Sequence, residues 1–161
     1  MKQSSTLFLK IVLIIMGIVV IAVMLWFPQV EGRNKNSDPI SLYFNDPFLA
    51  YVYLGTVPFF FALYQAFKLL GYIEHNQTFS LGSVTALGNI KYSAFVVMGF
   101  MAGAIMWVRI MSSVDGDDPA GFIAIGSAVI LISTVVSVFA AVLQKLFQNA
   151  VDIKSENDLT V

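Results

Sequence analysis

The apolar positions of this chain fall into four long blocks separated by short polar stretches. The first covers 7–27 and is broken only by Lys10; the others cover about 48–70, 92–111 and 120–143. Each is about 20 residues or longer, the length a helix needs to cross roughly 30 Å of hydrocarbon. The pattern predicts an all-α, integral membrane four-helix bundle formed by one domain, 1–161. A signal peptide would have an apolar core of about 7–15 residues followed by a small-residue cleavage site. The first block is longer and ends Leu25-Trp26-Phe27-Pro28, so it reads as a retained span. Lys10 lies one turn inside it, where a lysine can snorkel to the headgroups.

The connections differ in character. Residues 28–47 are rich in turn formers, with a short amphipathic piece expected at 40–44. Residues 71–89 form a longer polar connection, in which Thr78 or Ser80 is placed to cap a short helix. Leu81, Val84, Leu87 and Ile90 recur there every three residues, so their stripe drifts around a true helix. The third connection is a tight acidic turn, Asp115-Gly116-Asp117-Asp118. Beyond the fourth block, Leu143, Leu146, Phe147, Ala150 and Val151 keep a helical period. The last helix is therefore expected to project past the membrane into a C-terminal helix and tail, 144–161. The sequence shows no internal repeat.

Charge sets the orientation. Cytoplasmic loops carry the excess of Lys and Arg. One side collects Lys2, Lys10, Lys68, Lys91, Lys145 and Lys154; the other has Arg33, Lys35 and Arg109. Both termini are therefore expected in the cytoplasm. Trp26, Trp107, Tyr43 and Tyr51 then fall at the outer interface, and Tyr72 and Tyr92 at the inner one, levels that amphipathic rings prefer. Asn76-Gln77-Thr78 matches a glycosylation acceptor, but this threading hides it inside.

Composition sharpens the class and removes several activities. The chain is 58% hydrophobic and 12% charged, against about 25% charged for a soluble domain. Its net charge of −1 gives no general attraction to nucleic acid. It contains no cysteine and one histidine, His75, so neither a metal site nor a Ser/His/Asp constellation in a membrane pocket is expected. No ionisable residue lies deep in a block, which argues against a proton relay or an intramembrane protease. No phosphate loop or dinucleotide fingerprint appears. An enzyme is not expected, and no cofactor is implied.

The remaining candidates concern contact. Pro58, Tyr64, Gln65, Gly99, Gly103, Ser133 and Ser137 are read as helix-packing residues. Proline inside a helix removes one hydrogen bond and favours a kink. Gln65 suits a bond to a neighbouring helix, and Gly99-x-x-x-Gly103 permits close helix approach, within the bundle or in a homo-oligomer. Tyr72, Glu74, His75, Phe79 and Lys91, with Lys154, Glu156 and Asp158 in the tail, are read as partner-contact residues. The three acidic residues near 115–118 lack the twelve-residue spacing of a calcium loop and read as a solvated turn.

Four stretches carry a resemblance: PFFFALYQAFKLL at 58–70, Phe79-Ser80, ALGNIKY at 86–92 and DIKSENDLTV at 152–161. They resemble the YoaS-like bacterial membrane proteins, a domain-of-unknown-function family (number twenty-nine seventy-five). The resemblance covers nearly the whole chain and is sharpest over 58–92 and at the tail. It implies four transmembrane helices in the cytoplasmic (inner) membrane of bacteria, often Gram-positive. The family has no established activity, so no catalytic residue carries over. Its genes are associated with a small helix-turn-helix regulator of the Cro/CI type. The leading expectation is a four-helix membrane protein that acts through protein contacts and whose cytoplasmic face, 72–91 with 145–161, holds that regulator away from DNA without touching DNA itself. The alternative is a small transporter or immunity-type protein that binds a peptide or lipid within the bundle, at a cavity lined by Tyr64, Gln65 and Ser133.

Overall fold

The computed structural model describes residues 3–30, 47–115 and 118–158. All of these except the short connections are helical: α1 (Gln3–Val30), α2 (Pro47–Glu74), α3 (Leu81–Asp115) and α4 (Ala120–Asp158). Four helices among the described residues are long and apolar enough to cross a membrane. The amphipathic piece expected at 40–44, with Arg33, Lys35 and Tyr43, lies outside the described residues.

The helices outrun the apolar blocks. α3 starts at Leu81, not near 92, and α2 runs on to Glu74. The polar connection between them is therefore only residues 75–80. Two local devices explain this. Asn76 takes a left-handed backbone, φ 57°, which asparagine tolerates better than most residues. The Gln77 amide then bonds the Tyr72 carbonyl (2.8 Å) and the Asn76 amide bonds the Ile73 carbonyl (3.3 Å), a Schellman closure of α2. Four residues later the Ser80 hydroxyl accepts the Ser83 amide (3.3 Å) and caps α3. Ser83 is fully buried and its hydroxyl donates to the Gln77 carbonyl (3.1 Å), tying the two caps together. At the other end, Asp118 accepts the Ala120 amide (3.0 Å) and starts α4.

Packing runs mainly between chain neighbours, all antiparallel. Lys10 meets Glu74 and Tyr53 meets the Met24 carbonyl, so α1 runs against α2. Tyr51 lies on Phe100 of α3, and Thr134 of α4 bonds the Met98 sulfur. α3 is the most heavily packed helix, and α1 touches α2 more sparsely than α3 touches either neighbour. The buried apolar residues are mostly small: Ala86, Ala94, Ala104 and Ala140, with Leu49, Val84 and Leu87. Small side chains let helix backbones approach, which matters where lipid removes the hydrophobic drive between helices. Large apolar residues point outward instead, among them Ile18, Leu131, Val138 and Phe139. That pattern suits a hydrocarbon surround.

Candidate functional site

The lysine-rich end of the bundle gathers most of the contact residues expected from sequence. It is built where α1 starts, α2 stops, α3 starts and α4 continues. Lys10 and Glu74 form an ion pair across α1 and α2, and the Lys10 ammonium also lies 5.5 Å from the Phe67 ring centre. Lys68 sits 5.9 Å from the Tyr72 ring centre. The Tyr72 ring covers Gly82, whose missing side chain leaves room for it. His75 is exposed, and its Nδ1 lies 2.8 Å from the Gly71 carbonyl oxygen at the end of α2. Lys91 donates to Gln144 Oε1 (2.9 Å) and lies over its neighbour Tyr92, 4.6 Å from the ring centre. The Gln144 amide is seated against Gly88, where a Cβ would stand 2.7 Å from its nitrogen. Phe79 packs edge-on against Phe147 of α4, centroids 5.2 Å apart, yet stays 55% exposed.

The surface expected over 72–91 is therefore narrower than the sequence suggests. Ser83, Val84, Ala86, Leu87 and Gly88 are buried in α3. The exposed part at this end is His75, Asn76, Gln77, Phe79, Leu81 and Thr85. Lys154 and Glu156 are exposed on the last turns of α4, which Asp158 closes. The Lys10–Glu74, Lys91–Gln144 and Phe79–Phe147 pairings were not read from sequence. Each joins parts of the chain far apart in sequence, so no spacing along one helix reveals it.

The packing residues separate into used and unused. Gln65 and Ser137 are buried, Ser133 is half-buried, and Tyr64 is 61% exposed. Pro58 stands inside α2 without ending it and faces a groove shared with Asn89, Tyr92 and Ser93 of α3. Gly103 receives the Tyr51 hydroxyl, which donates to the Phe100 carbonyl (2.9 Å). Nothing approaches the place of a Gly99 Cβ, and Gly99 is exposed. Among the described residues no group of three or more His, Cys, Asp or Glu is placed to hold a metal ion.

Comparison with known proteins bears on this arrangement. The family described as "Protein of unknown function (DUF2975)" matches residues 32–161. The chain belongs to this family. The "Uncharacterized membrane protein YoaS" of Bacillus subtilis (strain 168) is 46% identical over the full length of both chains. No solved structure matches. The match to the DUF2975 family takes in α2, α3, α4 and the whole lysine-rich end except Lys10, whereas α1 precedes it. The likeness to YoaS includes α1 as well.

This DUF2975 chain also contains a partly open cleft of about 390 Å³ toward the opposite end of the bundle. All four helices wall it, and its lining includes Val20, Thr56, Phe100 and Val129. Tyr64, Gln65 and Ser133, the residues expected to line a cavity, do not line this one.

Proposed function

We propose that this DUF2975 protein spans the bacterial cytoplasmic membrane four times, with both termini in the cytoplasm, and acts by protein contact rather than catalysis. Its lysine-rich end serves as a platform for a soluble partner, a small helix-turn-helix regulator held at the membrane and away from DNA. One observation carries this reading. α4 has 39 residues, about 58 Å at 1.5 Å per residue, nearly twice a span of roughly 30 Å. Its far turns stand beyond the hydrocarbon as a formed helix, and Phe147 locks them to Phe79 of the short connection. A preformed surface binds without the ordering cost of a loose tail. The lysine excess at this end and the family's gene association support the cytoplasmic side and the kind of partner.

The test is co-purification of the regulator encoded beside the gene with the full-length protein in detergent. Capture is expected with the wild type and is expected to weaken strongly when Phe79 and Leu81 become Ser and Lys154 becomes Glu. Absence of capture by the wild-type protein refutes the assignment. The second reading, a peptide or lipid bound within the bundle, draws on the cleft described above.

A further inference from the structure

We propose that the cleft walled by all four helices holds one acyl chain of a bilayer lipid. The site lies between membrane-spanning segments, apart from the lysine-rich end, and stands whether or not a regulator binds there. Its volume, about 390 Å³, falls in the range of about 300–1,000 Å³ typical of ligand sites. Its wall is almost wholly apolar, from Val20 of α1 through Phe59 of α2 and Phe100 of α3 to Val129 of α4.

The polar groups at the wall are already committed. The Tyr51 hydroxyl donates to the Phe100 carbonyl (2.9 Å) and the Thr56 hydroxyl donates to the Tyr53 carbonyl (2.7 Å). A polar guest would leave its own hydrogen bonds behind and find none in return. An empty cleft would deny its lining the dispersion contacts that close packing supplies. Size then chooses between apolar guests. A helix about 10 Å across has a section of roughly 80 Å², so this volume would take only about one 5.4 Å turn of it. A single slender chain fits where a helix does not. The cleft is partly open, and α1, one of its walls, is the helix with the sparser packing.

The test uses the full-length protein in nanodiscs that contain a phospholipid with a photoreactive diazirine in its acyl chain. Cross-linked peptides are mapped by mass spectrometry. Labelling is expected at Val20, Phe100 and Val129 inside the cleft as well as at the outward residues Val138 and Phe139, which meet the surrounding lipid. Val20→Trp fills the cleft from α1, and Val129→Phe fills it from α4. Each is expected to cut cleft labelling about tenfold, equivalent to about 1.4 kcal/mol of binding. Val138→Trp is expected to leave cleft labelling unchanged. Melting curves of the three variants confirm folding, and either cleft variant alone suffices. Labelling confined to the outward residues, with none at the cleft residues, overturns the proposal. Loss of regulator capture in the preceding experiment leaves this outcome untouched.

Discussion

Gly99 and Gly103 share one motif but not one environment: open space surrounds the first, and the Tyr51 hydroxyl occupies the place of a Cβ at the second. Gly99→Ala is therefore expected to be tolerated and to stabilise the helix by about 0.5–1 kcal/mol in detergent, because the Cβ has room and alanine suits a helix interior better than glycine. Gly103→Ala is expected to cost about 1–3 kcal/mol by overpacking, and Tyr51→Phe in the same chain should recover part of that loss. Equal effects at the two glycines would show that the motif serves contacts between copies. The Lys10–Glu74 pair makes a second expectation at this scale. Glu74→Gln should lower the melting temperature, and the exchange Lys10→Glu with Glu74→Lys should restore it. Of these two features, the glycine motif was visible in the sequence and the ion pair was not. A glycine pair is visible, but which glycine receives a tyrosine depends on how two helices are rotated. Lys10 and Glu74 are 64 positions apart and become neighbours only because α1 and α2 are antiparallel.

At the scale of the element, the turn between α2 and α3 is the most informative piece. Ser80→Ala removes the hydroxyl that caps α3 and is expected to cost about 1 kcal/mol. Thr78, the other cap considered from sequence, does not play that part. Asn76→Gly is expected to be tolerated because glycine adopts a positive φ freely, whereas Asn76→Val should destabilise the turn. Phe79→Ala and Phe147→Ala should each cost stability, and a double-mutant cycle should return about 0.5–1.5 kcal/mol of coupling for the ring pair. The four helices were legible because four apolar blocks of membrane length are hard to read otherwise. Their ends were not. Residues 81–89 are polar enough to resemble a loop, but a capped helix can continue through them because Val84 and Leu87 find neighbours to pack on. Hydropathy reports the solvent around a helix, not where the helix stops.

Across the whole molecule, threading is the property most open to direct measurement. The chain lacks cysteine, so one introduced thiol reports on one place. A membrane-impermeant maleimide added to intact cells should label Asp118→Cys and spare His75→Cys. The opposite result would reverse the orientation and remove the proposed platform from the cytoplasm. The antiparallel order of the bundle has a consequence of another kind, for how the protein is made and unmade. When each helix packs chiefly on its neighbour in the chain, contacts close over short sequence separations, and assembly needs no long-range search. Helices leaving the ribosome in order can pair as they arrive. Pulling is expected to reverse this piecewise, with sparsely held α1 yielding at lower force and α3 with α4 surviving longest. A single-molecule trace in a bilayer would then show more than one step, with the weakest belonging to the first helix made.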